Sequence, residues 1–109
     1  MRRVQPLAAE LARRLVEAVE IERAAVARGE RGEPLAVYVD SPGDAVVTLS
    51  ARLSWRRERL TGGVILLASA ATGAAPVHVE RRLKPGSSYP QMYRHAAQMV
   101  EAVCRVGAS

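Results

Sequence analysis

From Val47 to Arg56 the chain alternates without a slip. Val47, Leu49, Ala51, Leu53 and Trp55 share one parity, and Thr48, Ser50, Arg52, Ser54 and Arg56 share the other. A period of two held over this length is the pattern of a strand with one face in a core and one in water. Such a strand must have neighbours in a sheet and a layer of other elements on its apolar side. The rest of the chain has to supply both.

The neighbours are legible on either side. Leu35, Val37 and Val39 alternate with Ala36, Tyr38 and Asp40 as a short first strand, and Ser41–Asp44, SPGD, has the proline and glycine of a type II turn. After Trp55 the alternation breaks, because Arg57 and Arg59 fall on the apolar parity. The strand therefore ends near Arg56 or a bulge resets its facing, and either places WRRERL at a rim or projecting loop. Thr61, Gly62 and Gly63 are expected to make the reversal, since glycine accepts the positive φ of hairpin turns. Val64–Ala71, VILLASAA, is continuously apolar, as in a strand covered on both faces or lying at a subunit contact. Thr72–Pro76 reads as the next turn. Val77, Val79 and Leu83 then alternate with His78, Glu80, Arg82 and Lys84, while Arg81 interrupts the apolar parity and implies an edge strand ending around it.

The covering layer comes from the two ends. Between Pro6 and Arg28, Leu7, Leu11, Leu15, Ala18, Val19, Ala25 and Val26 recur at helical spacing, with Val16 and Ile21 off the main stripe. Pro6 suits the first turn of this helix and Gly29 the position just past its end. A second helix is predicted from Pro90, with Ser87 and Ser88 before it as capping residues, to about Val106. Its buried stripe is Met92, Ala96, Met99, Val100 and Val103, and Gly107–Ser109 are expected to fray. The predicted fold is α+β: a two-layer sandwich in the order helix, four-stranded mainly antiparallel sheet, helix, with both helices on one face. At 109 residues it is a single domain spanning 1–109. An order of this kind is shared by folds with and without nucleic-acid roles, so it assigns no function by itself.

Leaving one sheet face open draws attention to charge. The net charge is +5, but residues 1–44 hold seven arginines against eight acidic residues, and residues 45–109 hold nine basic residues against three acidic ones. The excess, −1 in the first part and +6 in the second, favours a polyanionic partner. Facing places Arg52 and Arg56 on the open face from one strand and His78, Arg82 and Lys84 from another, with Tyr38 nearby. Arg57 and Arg59 join Arg56 at the rim. Cations, hydroxyls and an aromatic suit phosphate contacts and a stacked base, and duplex RNA can be held through shape and backbone alone. The expected function is a small RNA- or DNA-binding module, RNA before DNA, or a ribonucleoprotein subunit. The alternative is a non-catalytic assembly subunit that docks a protein through the sheet face or the first helix. The bland counterpart is a solvated face and a charged edge that discourages strand addition.

Other chemistry finds little support. His78 lies among cations, His95 sits beside the apolar stripe of the last helix, and neither has a carboxylate at a pairing distance in sequence. Cys104, the single cysteine, excludes an internal disulfide and fits a small buried hydrophobe. Gly62 and Gly63 lack the lysine and hydroxyl residue of a phosphate loop. No catalytic, cofactor or metal residue is therefore assigned, and the chain is expected not to be an enzyme. There is no phenylalanine and only Trp55, Tyr38, Tyr89 and Tyr93 are aromatic, so the core is made of small side chains. Small side chains bury less area per position, and a homodimer, formed through Val64–Ala71 or the outer side of the first helix, would add to it. Glu10, Glu17 and Glu20 break any leader-like apolar run, and Val64–Ala68 is far short of the ~20 residues that cross a bilayer. A cytoplasmic location without membrane contact is expected.

Overall fold

The computed structural model describes residues 4–30, 35–40, 47–56, 59–70, 77–84 and 86–107, with side chains over 6–25, 28–30, 47–52, 65–70, 77–84 and 86–105. The elements are α1 (Val4–Ala27), β1 (Leu35–Asp40), β2 (Val47–Arg56), β3 (Arg59–Ala70), β4 (Val77–Leu83) and α2 (Tyr89–Gly107). Strands β2, β3 and β4 form an antiparallel sheet on which the helices pack, and β1 runs antiparallel beside β2, giving the order β1-β2-β3-β4. The expected turns at Ser41–Asp44 and Thr72–Pro76 lie outside the described residues.

The alternation of β2 does what its period requires. Val47, Leu49 and Ala51 are buried together with Leu66, Ala68 and Ala70 of β3 and Leu83 of β4. Ala8, Leu11, Ala12, Leu15 and Val19 of α1 and Met92, Ala96, Met99, Val100 and Val103 of α2 cover this one face, all in one cluster. The α2 stripe is the one its spacing predicts. On α1 the buried face is wider than the leucine stripe because Ala8 and Ala12 are fully buried as well. Val16 packs at the margin of the core, whereas Ile21 is 65% exposed.

The ends of both helices are fixed by local chemistry. Glu30 N–H donates to the Ala25 carbonyl at 3.0 Å, and Gly29 takes φ 79°, the left-handed residue of a Schellman closure. At the start of α2, Ser88 Oγ accepts from Gln91 N–H at 3.3 Å while Ser88 N–H donates to Gln91 Oε1 at 2.9 Å. This reciprocal capping box makes Ser88 the cap, with Tyr89 rather than Pro90 as the first helical residue. Ser87 closes the preceding turn instead, through its N–H and hydroxyl to the Lys84 carbonyl, with Gly86 at φ 83°. The helix continues through Gly107, the first residue of the segment expected to fray. Arg23 of α1 donates to Tyr89 Oη at 3.0 Å with its guanidinium 5.2 Å from the ring centre, which ties the two helices together.

Two expectations are corrected. Thr61–Gly63 are strand, not the reversal, because Arg56 pairs with Arg59 and the change of direction is made between them. Leu53 pairs with Val64 and Trp55 with Leu60, so one β2 residue, Ser54, faces three on β3, Thr61, Gly62 and Gly63. The glycines mark this irregularity, where the extra backbone is taken up. Second, of the two readings of Val64–Ala71, cover on both faces does not hold for the described side chains of β3: Leu66, Ala68 and Ala70 are buried, but Ile65 and Ser69 are half-buried and Leu67 is 36% exposed. Arg81 keeps its place opposite Leu66, and β4 is an edge strand that ends two residues further on, at Leu83, as expected.

Candidate nucleic-acid interface

The strand order decides what the open face is made of. Arg52 pairs with Ile65 and Ile65 with Arg82, so the three lie in one row across β2, β3 and β4. The next row is Ser50, Leu67 and Glu80, and the third is Thr48, Ser69 and His78. Neighbouring strands are about 4.8 Å apart, which sets the backbones of Arg52 and Arg82 at roughly 10 Å from each other. β3 therefore stands between the two cation-bearing strands, and its Ile65 and Leu67 make an aliphatic centre flanked by arginine. Tyr38 of β1 pairs with Ser50, which places it in register with the second row.

Arg52, His78, Arg82 and Lys84 are all exposed, as their parity requires. Arg56 and Arg59 are paired at the hairpin end of β2 and β3. They are brought together there, away from the row of Arg52 and Arg82, and Arg57 lies outside the described residues. Sequence reasoning missed Ile65 and Leu67 as parts of this face, since a continuously apolar run does not reveal that its second side stays open.

The electrostatic setting separates these cations from the arginines of α1. Arg13 bonds Glu10 at 2.7 Å and Glu17 at 2.8 Å, and Arg28 bonds Glu30 at 2.8 Å. The hydrogen bond from Arg13 lowers the pKa of the Glu10 carboxyl, and the bonds Arg13 donates to Glu10 and Glu17 raise that of its guanidinium. These exposed pairs add little stability, but they give Arg13 of α1 and Arg28 just past its end carboxylate partners close in sequence. On the open face no described carboxylate pairs with Arg52, Arg82 or Lys84, although Glu80 shares the face. Charge left unpaired on an exposed surface is available to an anionic partner.

The remaining polar residues are placed less favourably for chemistry. The Ser50 hydroxyl turns to the Leu67 carbonyl at 3.5 Å, too long to hold it firmly. His95 is half-buried beside the α2 stripe and accepts a hydrogen bond from Arg81, and no described carboxylate accepts one from it. Cys104 is half-buried rather than fully buried, and burial raises its thiol pKa. Among the described residues no group of acidic, histidine or cysteine side chains could hold a metal ion, and no helix is long and apolar enough to cross a membrane. Comparison with protein-family models, curated proteins and solved structures finds no match.

Proposed function

We propose that the chain is a small nucleic-acid-binding module, RNA before DNA, that holds phosphates on the open face of its sheet. The observation that carries this is the row Arg52, Ile65, Arg82, in which two exposed guanidinium groups flank an aliphatic centre and pair with no described carboxylate. Phosphates are held at the two sides, with Lys84 extending the β4 side, and base or sugar edges rest on Ile65 and Leu67. Contacts of this kind position a backbone without reading its sequence.

Magnitude limits the proposal in a useful way. If Arg52, Arg82 and Lys84 each neutralise one phosphate of a duplex, affinity falls with a log–log salt slope of about −2.7, or roughly 40-fold between about 50 and 200 mM salt. Binding by one copy is therefore weak and salt-sensitive. The test is a salt series on generic RNA and DNA with the wild type and an Arg52→Ala, Arg82→Ala double variant. The slope is expected to flatten by about two in the variant, uniformly across sequences. No binding at low salt, or an unchanged slope in the variant, overturns the proposal.

The homodimer fits this function only through the outer side of α1, where Ile21 is exposed. A subunit contact through Val64–Ala71 would cover the very face that carries the cations. A second reading, docking of an acidic protein partner by a non-catalytic assembly subunit, is favoured by one observation, the exposure of Leu67 at the centre of the face. An apolar centre with a charged rim is common to protein interfaces. Leu67→Ser then weakens binding more than Arg52→Ala, the reverse of the order expected for phosphate contacts.

A further inference from the structure

Arg81 and Arg82 are consecutive and so leave β4 on opposite sides of the sheet. Arg82 belongs to the open face. Arg81 is half-buried on the helix side, opposite Leu66, at the margin of the core. Its Nη1 donates to His95 Nδ1 at 2.9 Å and to Gln98 Oε1 at 3.1 Å, both on α2. A guanidinium has no acceptor, so the direction of the first bond is fixed: the imidazole accepts at Nδ1 and, when neutral, carries its proton on Nε2.

Two features of this cluster stand out. Both acceptors are neutral, and no described carboxylate pairs with Arg81, so a partly desolvated positive charge is held in place without being neutralised. The nearest acidic residues in sequence are Glu80, which leaves the strand on the open side, and Glu101, three residues beyond Gln98 on α2. The two bonds also use only the Nη1 hydrogens. The Nε–H and the two Nη2 hydrogens remain, and these form the side-on fork that matches two oxygens of a phosphate or carboxylate.

We infer that Arg81 is an oxyanion-binding residue, oriented by His95 and Gln98 so that its Nε/Nη2 edge receives a phosphate or carboxylate group at the β4 margin. The oxyanion supplies the counter-charge that the chain's described residues do not, and its two oxygens accept from Nε–H and Nη2–H. His95 and Gln98 are positioning residues that restrict the guanidinium before the anion arrives, which lowers the ordering cost of binding. The inference is independent of the open-face reading, because it concerns the other side of the sheet and different residues.

The test is an NMR titration that follows the Arg81 Nε–H signal and, in every variant including Arg81→Lys, the backbone amide signals of Arg82 and Gln98, as inorganic phosphate or acetate is added at constant ionic strength made up with chloride. Saturable shifts are expected, with dissociation constants on the order of millimolar for a single fork. Arg81→Lys keeps the charge but loses the fork and should weaken binding roughly tenfold. Its far-ultraviolet circular dichroism and thermal midpoint establish that it is folded. His95→Phe removes the orienting acceptor and should weaken binding several-fold with Arg81 still present. The Arg52→Ala, Arg82→Ala variant should bind as the wild type does, which separates failure here from failure of the open-face proposal. The stronger of the two arms identifies phosphate or carboxylate as the source of the oxyanion. Shifts that match chloride alone, or that persist undiminished in folded Arg81→Lys, overturn the inference and leave Arg81 as a tie between β4 and α2.

Discussion

On the covered side of the sheet, the residues of β2 and β3 whose side chains are described are Val47, Leu49, Ala51, Leu66, Ala68 and Ala70, all buried. On the other side the same strands present Thr48, Ser50, Arg52, Ile65, Leu67 and Ser69, half-buried or exposed. The two sides share one backbone and differ only in parity, yet they obey different rules. The covered side is governed by volume: each alanine lies opposite a leucine or valine on the neighbouring strand, Val47 with Ala70, Leu49 with Ala68 and Ala51 with Leu66, so that two helices can settle onto a thin core without phenylalanine. The open side is governed by charge and access. β2 and β4 contribute cations and β3 contributes aliphatic side chains between them. The difference shows that the apolar run of β3 serves two environments at once, one half anchoring the core and the other half shaping a surface.

The largest expected effect tests whether that division holds in solution. Leu66→Ala removes a fully buried side chain at the centre of the sheet and should cost about 2–5 kcal/mol in chemical denaturation. Leu67→Ala, one residue away on the open side, should cost about 1 kcal/mol or less, because much of its surface is already in water. Equal costs for the two would break the comparison. They would mean that the open side is covered in solution, and the unfolding midpoint would then rise with protein concentration.

A smaller effect sharpens the comparison from the helix layer. Ser88→Ala removes the acceptor for Gln91 N–H and breaks the reciprocal box that starts α2, at an expected cost of about 1 kcal/mol. The loss should be confined to the covered side: thermal stability falls while the salt dependence of nucleic-acid binding is unchanged. A change in that salt slope with the fold intact would show that the open face depends on the seating of α2. In that case the two sides could not be treated separately.

How much of this was legible in the sequence follows from what each signal is local to. The stripe Met92, Ala96, Met99, Val100 and Val103 and the alternation from Val47 are properties of single elements, and both gave the right buried side. So did the exposure of Arg52, His78, Arg82 and Lys84, which parity alone decides. Gly62 and Gly63 misled because glycine serves turns and strand irregularities equally, and only the pairing of Arg56 with Arg59 tells them apart. Arg81 marked the edge strand, but what makes its place on the apolar parity tolerable, His95 and Gln98 fourteen and seventeen residues away, no local pattern shows. The aliphatic centre of the open face was missed for a similar reason: which strand lies between the two basic ones is a fact of topology, and no window of sequence contains it.

The smallest effect concerns a probe already present in the helix layer. Cys104 lies one residue past Val103 on α2, half-buried against the core, and burial raises its thiol pKa. Because the folded state disfavours the thiolate, its contribution to stability is complete below the unfolded thiol pKa. That contribution is lost as pH rises through the folded value. The group is too accessible for this to shift the unfolding midpoint appreciably, but it should be plain in reactivity, since the thiolate is the nucleophile. At neutral pH, native protein should react with a thiol reagent more slowly than the same chain in denaturant, and the rate should climb as pH is raised. Ser88→Ala should speed the native reaction by loosening α2, whereas Leu67→Ala should not. A native rate equal to the denatured one would show that the far half of α2 is not seated on the sheet, and the covered side would then end short of Val103.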